Sequence, residues 1–345
     1  MATRRRRNSK KGSGAAGTFL LLLLVLLIAA GAAAWLVLLP FGPHAETFVE
    51  IVPGSSTPHI AQQLEEAGVI RSRYAFDLLR WVKRGSLRAG EYRFDHPATA
   101  AEVYARIAKG DVFTIAVTIP EGSSVFEIAA RLEQAGFGPR LSFLDAAREQ
   151  ATLVSDLDPK ATSLEGYLFP DTYKLPRKAS PQQICATMLR RFRAQVQQLG
   201  LKGNVHKVVT MASLVERETA VDSERPLVAS VFVNRLAKNM PLMTDPAVIY
   251  GLELDNRWRG AIYQSDLKFD TPYNTYLHPG LPPGPIANPG LKSLRAALAP
   301  AQSDYLYFVA AGANPQGHSL FSTTLEEQNR NVAGYRTAIK KAGSH

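Results

Sequence analysis

The 24 residues from Thr18 to Phe41 contain no charge, and Leu, Ala and Val dominate them. As an α-helix rising 1.5 Å per residue, such a run is about 36 Å long, enough to cross the ~30 Å hydrocarbon core of a bilayer. Arg4, Arg5, Arg6, Arg7, Lys10 and Lys11 precede it, and the first acid of the chain, Glu46, follows it. Because basic flanks stay on the cytoplasmic side, the run predicts a single-pass transmembrane helix over 18–41 in the inner (cytoplasmic) membrane. Residues 1–17 are then a cytoplasmic basic tail, 42–47 a linker, and the rest a periplasmic, or more generally extracytoplasmic, body. A signal peptide cut after Ala32-Ala33-Ala34 is the rival, and a buried core helix the blander alternative. Against both, the run is longer than a signal core, and Trp35 to Leu39 continues it.

Charge has to be located before it is interpreted. The 345 residues carry 40 bases and 30 acids, a net +10, but six of the bases form the N-terminal tail. The remaining +4 is ordinary and gives no case for nucleic acid. A chain of this length has room for two domains with real cores. The single cysteine, Cys185, excludes an internal disulfide and a cysteine-based zinc site.

Residues 48–145 carry an internal repeat. Val49-Glu50-Ile51-Val52-Pro53-Gly54-Ser55-Ser56 is followed by Ile60, Leu64 and Gly68; 68 residues later, Val117-Thr118-Ile119-Pro120-Glu121-Gly122-Ser123-Ser124 is followed by Ile128, Leu132 and Gly136. Each copy alternates as a strand does, turns at Gly, and enters a helix that Ser can cap and Gly can close. Leu87–Phe94 reads as a strand and Ala98–Lys109 as a helix between the copies. Such strand–helix units resemble LysM-like peptidoglycan-binding modules; a plain packing module is the alternative.

The second half, residues 146–345, holds the specific patterns. Glu165-Gly166-Tyr167-Leu168-Phe169-Pro170-Asp171-Thr172-Tyr173 gathers aromatics and acids around a proline. Val205–Thr219 reads as a helix burying Val205, Val208, Val209, Ala212 and Val215, with Met211, Leu214 and Glu218 along a neighbouring face. Glu216 points about 200° from Glu218, so one pocket cannot use both. A second helix runs from Glu224 to Lys238. A long irregular stretch follows Thr244-Asp245-Pro246; its Tyr273-Asn274-Thr275-Tyr276 and Gly280–Gly290 runs offer ring faces and amides suited to sugars. Tyr305–Ala310 reads as a strand, and Thr323 with Glu326 as the capping box of a last helix.

At these motifs, together with Met211–Ala220, Ser223-Glu224-Arg225, Val231–Leu236 and Thr244–Gly251, the sequence resembles the endolytic murein transglycosylase (YceG-like) family. The resemblance implies an α+β body: a LysM-like repeat module, then a mixed α+β catalytic domain over 146–345. It implies a lyase without metal or cofactor that cuts peptidoglycan glycan strands between MurNAc and GlcNAc and leaves 1,6-anhydro-MurNAc ends. It also implies a role in terminating glycan polymerisation beside penicillin-binding protein synthases.

That chemistry needs one carboxylic acid. It protonates the bridging oxygen, and its carboxylate then takes the proton of the C6 hydroxyl that attacks C1. An acid kept protonated near neutral pH must be buried. Glu218, between apolar neighbours at a helix end and followed by Thr219 as in a Glu-Ser pair, fits; Glu216 is the runner-up. The resemblance and the groove reading assign glycan contact to Thr219, Asp245, Tyr273, Asn274, Thr275, Tyr276 and Asn288. His278 and His318 stand isolated, so no metal site is expected. A hydrolytic muramidase and a non-catalytic glycan-binding scaffold are the competing readings.

Overall fold

The computed structural model describes residues 13–201, 203–314 and 317–342. Residues 1–12 of the expected basic tail lie outside them. The chain is mixed α+β and divides into two compact units, Met1–Thr114 and Ile115–His345. One copy of the repeat lies in each unit. Pairing explains why: the strand of the first copy finds its partner within the first unit, whereas that of the second pairs with a strand that begins at Thr172.

The first unit opens with helix α1 (Ser13–Leu38). Its Gly17–Leu38 stretch is long and apolar enough to cross a membrane, and none of its most apolar window is buried. Then come β1 (Thr47–Ile51), α2 (Thr57–Glu66), α3 (Arg73–Lys83), β2 (Gly90–Phe94) and α4 (Ala100–Lys109). β1 and β2 pair antiparallel, Thr47 opposite Phe94 and Ile51 opposite Gly90. Val49, Ile51, Tyr92 and Phe94 face Ile60, Leu64, Phe76, Val103 and Ile107 in one core. Leu64 is fully buried, and truncating such a residue to Ala costs about 2–5 kcal/mol. The expected linker is pinned at its start. Phe41 N–H donates to Ala98 O (3.1 Å), and Ala98 N–H donates to Gly42 O (3.2 Å). A Cβ on Gly42 would lie 1.9 Å from Gly68 O, so only glycine fits. The Arg71 guanidinium stacks 3.9 Å over the Trp35 ring, tying the end of α1 to the same unit.

The second unit contains β3 (Thr114–Thr118), α5 (Val125–Gln134), α6 (Arg140–Glu149), β4 (Thr172–Pro176), α7 (Pro181–Leu199), α8 (Val205–Glu218), α9 (Arg225–Ala237), α10 (Asp245–Leu254), α11 (Leu291–Leu298), β5 (Tyr307–Ala310), β6 (Ser319–Ser322) and α12 (Leu325–Ala342). β3 pairs with β4, and β5 with β6. Ser124 and Glu127 close a full capping box at α5, whereas Ser56 makes no side-chain cap on α2. The third helical residue explains the difference: Glu127 reaches back, and His59 stands in its place in the first copy. The last helix is capped one residue later than the sequence pattern indicates, by Thr324 accepting from Glu327 N–H (3.2 Å).

Two cores share α8. Val205, Val209 and Ala212 pack with α5, α6 and α7, while Met211, Leu214 and Val215 pack with α9 and α10. From Val209 to Val215 every side chain is buried, which corrects the one-faced helix expected from periodicity. A helix walled in on both sides presents its chemistry only at its end.

Candidate active site

Glu218 is the last residue of α8, and Thr219 leaves the helix in extended conformation (φ −140°, ψ 133°). The Glu218 side chain enters a cavity of about 310 Å³ lined by Phe232, Arg235, Leu242, Met243, Thr244, Asp245, Tyr276 and Phe308. Among the described residues its carboxyl has no hydrogen-bond or ion-pair partner. Burial pushes it up to about 7; the Asp245 charge pushes the same way and Arg235 opposes them. Asp245 opens α10, and its Oδ1 accepts from the Tyr276 hydroxyl (2.6 Å). Arg235 spends its donors on carbonyls: Nε to Leu306 O (2.7 Å), and Nη1 to Leu242 O (2.9 Å) and Pro241 O (3.2 Å). It is a fixed positive charge in the wall, where desolvation lowers its affinity for its proton. Met243 borders the cavity with φ 54°, a left-handed conformation unusual for a side chain of its size.

Glu216 occupies a different environment. Its Oε1 accepts from Arg225 Nη1 (2.6 Å) and its Oε2 from Gly290 N–H (2.8 Å). The side chains of Glu216 and Arg225 are 4% and 7% exposed. Both carboxyl oxygens of Glu216 are engaged, one by a cation and one by an amide.

The structure brings Glu218, Asp245 and Tyr276 to one cavity and places the other expected contact residues elsewhere. Asn288 is fully buried. Its Oδ1 accepts from Leu168 N–H (2.8 Å), and its Nδ2 donates to Ser123 O (2.9 Å) and Glu165 Oε1 (2.7 Å). Asn274, also fully buried, donates to Leu267 O and Phe269 O and accepts from Tyr276 N–H. Thr275 accepts from Thr244 N–H (2.9 Å), and the buried Thr219 accepts from Val221 N–H (3.0 Å). All four side chains bond to backbone groups of this chain, and the amides of Asn274 and Asn288 are engaged at both their oxygen and their nitrogen. Tyr273 packs on Tyr250 (centroids 5.0 Å apart) and lines a separate cavity with Glu165, Asp158 and His206.

The Pro- and Gly-rich run was expected as an open groove, yet Gly284 to Gly290 is buried throughout. Proline brings no N–H to satisfy, and three of the donors that remain are met by distant partners: Ile286 N–H by Ser213 Oγ, Asn288 N–H by Ser123 O, and Gly290 N–H by Glu216. Glu165 anchors the same region. It is 2% exposed, its Oε2 accepts from Val125 N–H (2.9 Å) at the start of α5, and burial pushes its carboxyl up to about 8. The histidines are not isolated: His278 meets Asp270 (2.7 Å), and His318 meets Glu224 (3.0 Å).

Sequence reasoning missed Phe232, Arg235, Met243 and Phe308 as cavity walls. It also missed α10, whose Pro246 sits in the first helical turn, where proline is tolerated.

The sequence profile of the YceG-like family matches residues 49–334. A Bacillus subtilis protein named endolytic murein transglycosylase is 34% identical over 303 residues, covering 82% of each chain. A Streptococcus pneumoniae protein of the same name is 29% identical over 333 residues, and the match spans 86% of this chain but 60% of that protein. A crystal structure of a YceG-like protein from Listeria monocytogenes matches with a TM-score of 0.54 at 34% identity, covering 83% of this chain and 98% of that one. With a profile match reaching from β1 into α12 and relatives alike in sequence and structure, the chain belongs to the YceG-like family.

Proposed function

We propose that the chain is a lytic transglycosylase that cleaves peptidoglycan glycan strands internally, with Glu218 as both acid and base. The reading rests on one observation above all: a carboxyl without a hydrogen-bond partner among the described residues, held near pH 7, at the mouth of a helix and inside a cavity. The names of its relatives supply the substrate class.

In this mechanism Glu218 gives its proton to the oxygen bridging MurNAc C1 and GlcNAc C4 as that C1–O bond breaks. The C6 hydroxyl then attacks C1, and the Glu218 carboxylate takes its proton. A 1,6-anhydro ring closes, no water is consumed, and the acid is regenerated. Arg235 offsets the carboxylate formed midway. Asp245, held by Tyr276, favours reprotonation and is placed to contact the sugar together with the Tyr276 ring.

Asp245 also favours a second reading, because two carboxyls in one cavity suit hydrolysis by a positioned water. Mass spectrometry of fragments released from peptidoglycan by the full chain separates the readings. An anhydro end is one water lighter than a hydrolysed end, and a binding scaffold releases no fragments.

The same proposal places α1 in the cytoplasmic membrane as a retained anchor with the body outside, supported by its unburied apolar surface and its basic flank. Terminal sequencing that finds a mature chain starting near Trp35 overturns it. The strand–helix–helix–strand order of β1, α2, α3 and β2 supports a LysM-like glycan-binding role for the first unit. Action as a terminator beside penicillin-binding protein synthases completes the reading and is tested by co-purification from membranes.

A further inference from the structure

A second basin lies at the opposite end of α10 from Asp245. The helix is ten residues long, which puts the basin about 15 Å along its axis from the Glu218 cavity. It encloses about 590 Å³ and is lined by Asn256, Arg257, Trp258, Arg259, Lys268 and Phe269, with Ser265 and Asp266. Asn256 turns the chain out of the helix in left-handed conformation (φ 55°), and Arg257 N–H closes the helix end on Leu252 O (2.8 Å). The walls are cationic. Arg259 neutralises Asp266 through two bonds (2.9 and 3.1 Å). Arg257 and Lys268 are exposed, and among the described residues neither has a carboxylate or carbonyl partner for its side chain. Arg257 instead lies 4.3 Å over the Phe269 ring, which fixes its plane and leaves its N–H edge open. Trp258, half-buried, supplies a flat apolar surface beside it.

We propose that this basin binds the carboxylate-bearing peptide stem of the glycan, separately from the sugar at Glu218; the inference rests on the glycan-cleaving reading above. The stem offers what the basin lacks: carboxylates for Arg257 and Lys268, and methyl and methylene groups for Trp258. A cation after a helix C-terminus has a blander role in meeting the helix dipole, and that role predicts a change in stability without any change in ligand preference.

The test uses the full chain in detergent with Glu218→Gln, so that strands bind without being cut. Affinity is measured for strands of equal length with stems and with stems removed by an amidase. The parent should prefer stem-bearing strands, less so as salt rises. Arg257→Gln combined with Lys268→Gln should lower affinity for stem-bearing strands ~10-fold and bring the two affinities together. An unchanged preference in the double variant, or none in the parent, overturns the proposal. Binding of neither strand refutes the glycan reading instead. Titration of free stem pentapeptide then decides the basin: binding lost in the double variant supports it, and no binding to the parent overturns it.

Discussion

Two carboxylates two positions apart on α8 have opposite surroundings. Glu216 is clasped by Arg225 and the Gly290 amide, in a polar network that also includes Ser293 and Asp222. Glu218 has only a cavity and the fields of Asp245 and Arg235. A carboxyl clasped by a cation and an amide has both oxygens committed to the fold. An unpaired one in a desolvated wall is pushed up to about 7 and keeps its oxygens free. The contrast separates an acid that supports the fold from one free to do chemistry, and each of the following measurements can break it.

The largest effect is expected from Glu218→Gln. Gln keeps the shape but cannot deliver a proton, so cleavage should fall ~10⁴-fold or more, because one group serves both halves of the reaction. The fold should stay intact. Substantial cleavage by a well-folded Glu218→Gln protein would end the assignment.

Glu216→Gln should do the reverse. Breaking a buried pair costs about 3–5 kcal/mol, read in denaturant or thermal melts, while turnover per folded molecule remains substantial. A stable but inactive Glu216→Gln protein would exchange the roles of the two acids. Asn288→Ala tests the same supporting network farther out. It removes the side-chain bonds to Leu168 N–H and Glu165, while Ser123 O keeps the backbone N–H of position 288, and one such loss typically costs about 1–3 kcal/mol.

A smaller, pH-dependent effect sharpens the comparison. The Glu218 carboxyl is held at about 7 against an ordinary 4.5. Between those values the folded chain binds more protons than the unfolded one, so this group makes stability fall as pH rises. Glu218→Gln removes that slope. The melting-temperature advantage of the variant over the parent should grow from pH 4.5 to 7 and then level off. The smallest effect is that of Asp245→Asn: removing a charge that holds the Glu218 proton should move the alkaline limb of activity to lower pH. A limb that stays in place would mean that burial alone sets it.

The opposition of Glu216 and Glu218 was legible in the sequence because helix phase follows from spacing alone. So were β1, the helix of each repeat copy and the limits of α8 to within a residue. What escaped depended on partners far along the chain. Asn288 and Asn274 read as sugar ligands because amides in a Pro- and Gly-rich run look solvated; their partners in fact include Leu168 N–H and Ser123 O, more than a hundred residues away for Asn288. The strand pairing of the second repeat copy escaped for the same reason, since its partner is β4. Arg235 was visible only as part of a helix, because no local pattern reveals which carbonyls a guanidinium will reach.

The pinned junction after α1 has a mechanical consequence. Gly42 is wedged against Gly68, Phe41 is bonded to Ala98, and Trp35 lies under Arg71. In the membrane-anchored arrangement proposed above, no slack separates the lipid surface from the first unit. A protein on a loose leash sweeps a hemisphere of radius set by the length of the leash. This unit is instead held like a post in a socket: it drifts sideways with its helix but gains no height, so any glycan it touches must lie within its own thickness of the bilayer.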